Sequence, residues 1–112
     1  MNLQLRRVML FVKDVDAVAD FYVQKLGLRV VHREPGFADL DAGGARLALH
    51  RSGNPTPGST KLCFYTPDVS ATRTALIAAG VEMGKDPGPG EGLRLCDGKD
   101  PAGNTFQLST RE

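Results

Sequence analysis

The chain has 112 residues, and its 41% hydrophobic and 24% charged content is typical of one folded domain and excludes a disordered or membrane-spanning chain. Its 14 basic and 13 acidic residues leave a net charge of +1 without a basic run, which excludes the usual electrostatic surface for nucleic acid. We therefore expect neither a nucleic-acid partner nor a membrane partner.

The N-terminus and the cysteines indicate a cytoplasmic protein. The apolar stretch that follows Arg6 and Arg7 is short, interrupted and without a small-residue cleavage site, so it predicts a strand and not a signal peptide. Cys63 and Cys96 both lie within apolar runs. This placement favours two free, buried thiols in a reducing compartment, and a structural disulfide is the alternative.

The first third of the chain predicts a strand, a helix and a second strand. Residues 5–12 alternate with period two, which is typical of a strand. Asp14 is placed to cap a helix, since its carboxylate can accept from the free amides of the next turn, and apolar residues follow at helical spacing over residues 15–26. Gly27 ends this helix as a residue that tolerates positive φ, and residues 28–33 form the next strand.

A β-hairpin follows these elements. Residues 37–41 and 45–50 flank Gly43-Gly44, a dipeptide suited to a two-residue primed turn. A turn at this point fixes the register of the two strands. It places Asp41 opposite Arg46, Asp39 opposite Ala48 and Phe37 opposite His50.

The same order of elements is predicted again after a linker. Residues 53–59 are rich in Pro and Gly and read as that linker. The second half then predicts a strand over residues 61–66, a helix from the N-cap Asp68 to Ala79 with Gly80 as its stop, a short strand over residues 81–83, a loop over residues 85–92, and strands over residues 93–97 and 105–110.

The two halves align as an internal repeat. Asp14 and Asp68 are 54 residues apart, Gly27 and Gly80 are 53 apart, and the offset reaches 59 at Asp41, Gly44 and Leu49 against Asp100, Gly103 and Leu108. The offset between matched residues changes within loops, where insertions are tolerated. The alternative is a chance similarity of two amphipathic segments. We predict an α+β fold with two βαβββ modules (module 1 over about residues 3–52, linker 53–59, module 2 over about residues 60–112) in a single domain covering residues 1–112.

Strand parity predicts one helix-covered face and one mixed face for each module. The helix-facing positions are Val8, Leu10, Leu47, Leu49, Leu62, Phe64, Leu93, Leu95, Phe106 and Leu108. The opposite positions are Arg7, Met9, Phe11, Arg46, Ala48, His50, Lys61, Cys63, Tyr65, Arg94, Cys96, Gln107 and Ser109. That second set is too apolar for an ordinary wet surface. A curved mixed sheet that turns these faces toward each other encloses a cup.

Three segments of the sequence resemble the vicinal oxygen chelate superfamily, which contains glyoxalases, bleomycin-resistance proteins and ring-cleaving dioxygenases. The segments are Val12-Lys13-Asp14-Val15 with Phe21-Tyr22 and Leu26-Gly27-Leu28, then Asp68-Val69 with Leu76 and Ala79-Gly80-Val81, and finally Asp100-Pro101-Ala102-Gly103-Asn104 with Phe106-Gln107-Leu108. Each motif is weak alone, but their order and spacing span nearly the whole chain. The resemblance implies the paired-module fold, and for a chain of this length it implies a homodimer.

The resemblance also implies where a metal ion is held in the metal-dependent members. By count these four positions are Arg7, Ala48, Lys61 and Gln107, and only Gln107 offers a ligand atom. A divalent ion about 5 Å from one cationic side chain is repelled by roughly 7 kcal/mol at an effective dielectric of 20. We therefore expect no metal and no cofactor.

Several side chains of the mixed faces have two interpretations each. Arg7 and Lys61 either form an anion clamp, strengthened if Arg46 and Arg94 join it, or pair with carboxylates such as Asp39. His50 is expected to be a neutral polar pocket residue and not a metal ligand. Aromatic and thioether side chains can stack a planar ligand or simply pack in the core; these are Met9, Phe11, Phe37 and Tyr65.

The leading hypothesis is a metal-free protein that binds a small organic molecule, anionic or aromatic, as implied by the bleomycin-resistance branch. The predicted ligand-binding residues are Arg7, Met9, Phe37, Ala48, His50, Lys61, Cys63, Tyr65 and Gln107. A metal-dependent lyase, isomerase or dioxygenase using His50 and Gln107 is the first alternative. A metal-free acid–base enzyme using Lys61 or His50 is the second, and a purely structural or interaction module is the third.

Overall fold

A computed structural model of the chain describes residues 1–2, 4–57 and 60–112. The chain divides into two compact units, residues 1–56 and 57–112, which we call module 1 and module 2. The boundary between them lies inside the predicted linker, residues 53–59. The predicted start of module 1 at Leu3 and the linker residues Gly58 and Ser59 lie outside the described residues.

Module 1 consists of a four-stranded mixed sheet and one helix. Its elements are β1 (Arg7–Val12), α1 (Val15–Gln24), β2 (Arg29–Glu34), β3 (Phe37–Asp41) and β4 (Arg46–Arg51). The strand order is β1-β4-β3-β2, in which β1 and β4 run parallel and the other pairs are antiparallel. This is the βαβββ order that the sequence predicts.

The predicted ends of α1 are confirmed. The Asp14 carboxylate accepts from the backbone N–H of Ala17 at 3.0 Å, which satisfies one of the free amides of the first turn. Gly27 ends the helix with a φ of +80°, a conformation that favours glycine. The helix packs on β3 and β4 through a buried stripe, which consists of Val15, Val18, Ala19 and Tyr22.

The predicted hairpin register is also confirmed. Asp41 lies opposite Arg46, Asp39 opposite Ala48 and Phe37 opposite His50. Gly43 has a φ of +99°, and the Ala42 N–H donates to the Ala45 carbonyl at 3.0 Å, so the turn has two central residues as predicted.

Module 2 repeats this design with a smaller sheet. Its elements are β5 (Lys61–Tyr65), α2 (Val69–Ala78), β6 (Leu95–Lys99) and β7 (Thr105–Ser109), with strand order β5-β7-β6. The parallel pair is β5 with β7, and β6 runs antiparallel to β7. Asp68 caps α2 by accepting from the Ala71 N–H at 3.0 Å, as Asp14 caps α1.

The fourth strand predicted for module 2 is reduced to one bridge. Residues 81–83 pair with β6 only at Met83 and Gly98, supported by the bond from the Gly84 N–H to the Asp97 carbonyl at 2.7 Å. The chain then enters the predicted loop, where Pro87 and Pro89 have no N–H to continue a ladder. The edge of this sheet is therefore short.

The predicted facing of β6 is wrong. Cys96 and Gly98 face the helix, opposite Leu108 and Phe106, whereas Leu95 is 41% exposed. The physical reason is the large ring of Phe106, which needs a position without a side chain next to it: a Cβ on Gly98 would lie 2.5 Å from Phe106 Cζ. Register, and not the hydrophobicity of Leu95, decides the facing.

Each module thus has one helix on one face of a small mixed sheet, and the predicted α+β fold is confirmed. The buried apolar side chains lie between helix and sheet, and the largest fully buried ones are Tyr22, Phe106, Leu40, Leu47, Leu49, Val12 and Val18. Neither α1 nor α2 is long and apolar enough to cross a bilayer.

Candidate functional site

The sheet of module 1 turns a chemically ordered surface away from α1, which we call open face 1. Cross-strand register on β1, β4 and β3 arranges it in three rows. The arginine row is Arg7, Arg46 and Asp41; the middle row is Met9, Ala48 and Asp39; the aromatic row is Phe11, His50 and Phe37.

Asp39 is the centre of an ion-pair cluster on open face 1. Arg7 donates to it from Nε at 3.3 Å and from Nη2 at 3.0 Å, and Arg46 donates from Nη1 at 3.0 Å. The Asp39 side chain is 7% exposed, whereas those of Arg7 and Arg46 are 42% and 44% exposed. The carboxylate therefore lies beneath two guanidinium groups that remain open to solvent.

The cluster shifts the protonation of its members in the expected directions. The hydrogen bond from Arg7 is the main cause that lowers the pKa of Asp39, burial opposes it, and Arg46 adds to the lowering. The bond to Asp39 likewise raises the pKa of Arg7. Two cations share one anion, so the cluster keeps a net positive charge.

Open space adjoins the guanidinium groups. A cavity of about 500 Å³ is lined by Arg6, Arg7, Asp41, Gly43, Gly44, Ala45 and Arg46. Asp41, the acid in this lining, accepts from the Gly43 N–H at 2.9 Å and from Arg29 Nη2 at 2.7 Å, and the pKa of Asp41 is lowered by those two bonds. The remaining charged groups of the lining are arginines.

The aromatic row consists of rings in contact. The His50 ring lies 5.6 Å from the Phe11 ring and 6.3 Å from the Phe37 ring, centre to centre. His50 Nδ1 is 2.8 Å from the Arg51 carbonyl, which only accepts, so Nδ1 carries the proton in the neutral ring and Nε2 is the acceptor. Phe11 is 54% exposed, so this row presents apolar surface to solvent.

The central position of the middle row, between the arginine row and the aromatic row, is occupied by the small side chain of Ala48. Ala48 is fully buried although it points to the open side, because Met9 and Asp39 flank it on the neighbouring strands. Met9 itself is 40% exposed. Ala48 has no side-chain atom beyond Cβ, so β4 places no large group between the arginine row and the aromatic row.

The sheet of module 2 has a corresponding surface, open face 2, with different chemistry. Its rows are Lys61, Thr105 and Lys99, then Cys63, Gln107 and Asp97, then Tyr65, Ser109 and Leu95. Lys61 Nζ lies 3.0 Å from Asp97 Oδ2, and Gln107 Nε2 donates to Asp97 Oδ1 at 3.1 Å. The Cys63 thiol points to Gln107 Oε1 at 3.7 Å.

The structure places all nine predicted ligand-binding residues on the two open faces, five in module 1 and four in module 2. Arg7 and Lys61 each pair with a carboxylate, as the second of their two interpretations expects. Arg46 joins Arg7, whereas Arg94 donates to the Pro89 and Leu93 carbonyls instead.

Sequence reasoning missed two features of this site. Asp97, and not Cys96, faces the open side, and its alignment with Asp39 through the register of β6 and β7 is the signal that finds it. The expectation of two buried thiols is wrong for Cys63, which is exposed, although both cysteines are free. Burial raises the pKa of the Cys96 thiol.

The residues at the four family metal positions do not fit a metal ion. Arg7 and Lys61 present cationic groups held in ion pairs, and Ala48 has no ligand atom. Across the described part of the chain, no three His, Cys, Asp or Glu side chains converge as a metal centre. In module 2 the Gln107 amide lies beside the cationic Lys61 on the same carboxylate, and one neutral amide does not hold a divalent ion next to that charge.

These features define a class: a glyoxalase-like α+β protein with paired modules and altered metal positions. The sequence model of the Glyoxalase/Bleomycin resistance protein/Dioxygenase superfamily matches residues 4–108, and the chain belongs to this superfamily.

Individual relatives share the fold over almost their whole length. Virulence protein STM3117 of Salmonella typhimurium is 26% identical over an alignment of 120 residues, which covers 95% of this chain and 83% of that protein. The integron cassette protein VCH_CASS1 from the mobile metagenome of V. cholerae is 26% identical, with a TM-score of 0.78 and coverage of 100% and 98%. TnmS3, an antibiotic binding protein from Streptomyces sp. CB03234, is 25% identical, with a TM-score of 0.79 and coverage of 96% and 94%.

Proposed function

We propose that this chain binds a small organic molecule, anionic or aromatic, through its open faces and without a metal ion or other cofactor. The residues proposed to contact ligand are Arg7, Met9, Phe37, Ala48, His50, Lys61, Cys63, Tyr65 and Gln107. Phe11, whose exposed ring belongs to the aromatic row, is added to this set. Binding, and no chemical step, is the activity that these side chains support.

The observation that carries the proposal is the exposed aromatic row of open face 1. Phe11 is 54% exposed and Met9 40% exposed on β1, which pairs with β4 in parallel register from Arg7 to Val12. Apolar rings held on a sheet lose little side-chain entropy when a flat ligand stacks on them. A few polar groups beside apolar surface are the usual composition of a small-molecule site.

The relatives support the same activity. TnmS3 is described as an antibiotic binding protein, and it matches this chain over nearly its full length at 25% identity. We carry over from it only the binding of a small organic molecule.

Independence from metal rests on the donor set at the four family positions. Calorimetric titration with zinc, nickel and manganese tests it, and we expect no binding in the micromolar range. Stoichiometric micromolar binding that Gln107→Ala abolishes would overturn this part of the proposal and favour the metal-dependent alternative.

Native mass spectrometry of the purified protein, followed by amide chemical-shift mapping with any co-purified molecule, tests ligand binding. We expect shifts at the strands that carry the open faces, β1, β3 and β4 of module 1 and β5 and β7 of module 2. Phe11→Ala should weaken binding, and the matched control Ile77→Ala should not, because Ile77 is similarly exposed (45%) but lies on α2. Shifts confined to the helices, or equal loss in both variants, would contradict the proposal.

We further propose that the two modules act as one domain and that the chain forms a cytoplasmic homodimer. The superfamily resemblance supports a dimer. Sedimentation equilibrium should give twice the chain mass of 12.0 kDa. A concentration-independent monomer would contradict the dimer without affecting ligand binding.

A further inference from the structure

Resting on the proposed function, the geometry points to a narrower ligand class: a flat aromatic molecule that carries a carboxylate, bound on open face 1 with its anion at Arg7 and Arg46 and its ring at the aromatic row. Such a ligand uses both the positive charge of the two arginines and the apolar rings of the aromatic row. It also assigns the ligand to module 1 and not to module 2.

The guanidinium groups of Arg7 and Arg46 lie over the middle row of open face 1. Arg7 and Arg46 start in the arginine row, but both reach Asp39, so their head groups lie over the middle row. Successive positions on one face of a strand are about 7 Å apart, so the head groups lie one such step from the aromatic row. A one- or two-ring arene carboxylate spans that distance.

The guanidinium groups of Arg7 and Arg46 carry N–H donors that do not bond to Asp39. Each guanidinium has five N–H groups, and the bonds to Asp39 use two on Arg7 and one on Arg46. Their side chains are 42% and 44% exposed beside an open cavity, so the remaining donors are accessible. Asp39 stays ionised beneath them and holds both heads in place, which pre-organises a carboxylate site.

The middle row places one small and one flexible side chain between the head groups and the rings. Ala48 has no side-chain atom beyond Cβ to separate them, and Met9 beside it is a 40% exposed, flexible and polarisable apolar contact. On open face 2 the aligned position carries Gln107, whose amide is held by Asp97, and Lys61 pairs with the same carboxylate while Lys99 is bonded to Thr105. Open face 2 therefore lacks both the small central side chain and the two guanidinium groups that share one carboxylate.

A matched pair of probes tests this inference: 2-naphthoate and the neutral 2-naphthamide, followed by amide chemical-shift titration. We expect the carboxylate to bind at least about tenfold more tightly, since a charge-assisted hydrogen bond contributes that much. Rising sodium chloride should weaken the naphthoate complex and leave the naphthamide complex unchanged.

Variants locate the anion. Arg46→Gln should remove the preference for naphthoate and keep naphthamide binding, whereas Arg51→Gln, the same change at the far end of β4, should keep the preference. Equal binding of both probes to the wild-type protein, or a preference that survives Arg46→Gln, would overturn the inference alone. If neither probe shifts the residues of open face 1, the proposed aromatic binding fails with it.

Discussion

Each module sets a cation on its first strand against an aspartate on the strand two places across, but the two pairs differ in depth. In module 1, the Asp39 side chain is 7% exposed and accepts from two arginines. In module 2, the Asp97 side chain is 46% exposed and binds one lysine and one amide. The repeat preserves the diagonal pair, while the neighbouring side chains determine its burial and its net charge.

The helix-facing sides differ in a second way. The pair Leu40–Leu47 of module 1 aligns with Gly98–Phe106 of module 2, since both occupy the same register between the antiparallel strands. Where module 1 has two leucine side chains, module 2 has a glycine without a side chain opposite one large phenylalanine ring. At this cross-strand pair the combined size of the two side chains is similar in both modules, although it is divided differently between the two strands.

The largest effect should come from breaking that volume exchange with Gly98→Ala. The new Cβ would lie 2.5 Å from Phe106 Cζ and 2.7 Å from Met83 Sδ, so we expect a loss of about 3 kcal/mol in the free energy of unfolding. Urea denaturation followed by circular dichroism measures it. The control Gly44→Ala meets nothing within 4 Å and should be nearly neutral.

The double variant Gly98→Ala with Phe106→Leu sharpens the same point. It moves the module 2 pair toward the module 1 pair, so it should be more stable than Gly98→Ala alone by at least about 1 kcal/mol. Additive losses in the double variant would show that the two positions do not exchange volume.

Much of module 1 follows from the sequence because its signals are local. The cap Asp14 and the Gly43-Gly44 turn each act within a few residues, and the turn alone fixes which side chains of β3 and β4 meet. The three rows of open face 1 are consequences of that register.

The features that the sequence does not reveal depend on distant partners. Leu95 is more apolar than Cys96, so hydrophobicity alone places it inside, but the ring of Phe106 selects Gly98 and thereby turns Leu95 outward. The pairing of Asp39 with Arg7 is one of the two interpretations that the sequence leaves open, but the burial of Asp39 beneath both Arg7 and Arg46 follows only from bringing β1 and β4 beside β3. Nothing local to either residue encodes these contacts.

The next largest effect should be a difference in stability between variants of Asp39 and of Asp97. Asp39→Asn removes a buried charge and turns an amide toward two guanidinium groups, so we expect a loss of about 2 kcal/mol in the free energy of unfolding. Asp97→Asn, at an exposed pair, should cost less than about 0.5 kcal/mol. Urea denaturation of both variants at pH 7 measures the difference, and equal losses would contradict the role assigned to burial.

The pH dependence of the Asp39 contribution should follow from its lowered pKa. A carboxyl group whose pKa is lower in the folded than in the unfolded chain stabilises the fold above its unfolded pKa of about 4 and loses that contribution as the pH falls through the folded pKa. The gap in unfolding free energy between wild type and Asp39→Asn should therefore be constant from about pH 5 to pH 7 and narrow below about pH 4. A gap that widens with acid would refute the direction of the shift.

The smallest effect should appear where the two modules are most alike. Asp14 and Asp68 each accept from the backbone N–H three residues ahead at 3.0 Å, so Asp14→Ala and Asp68→Ala should each cost about 1 kcal/mol. The controls Asp14→Asn and Asp68→Asn retain a capping oxygen and should cost much less. Amide hydrogen exchange measures the stability of α1 and α2 separately. Because the cap geometry is the same in both helices, we expect equal losses of stability. Unequal losses would mean that packing outside the cap decides the stability of one helix.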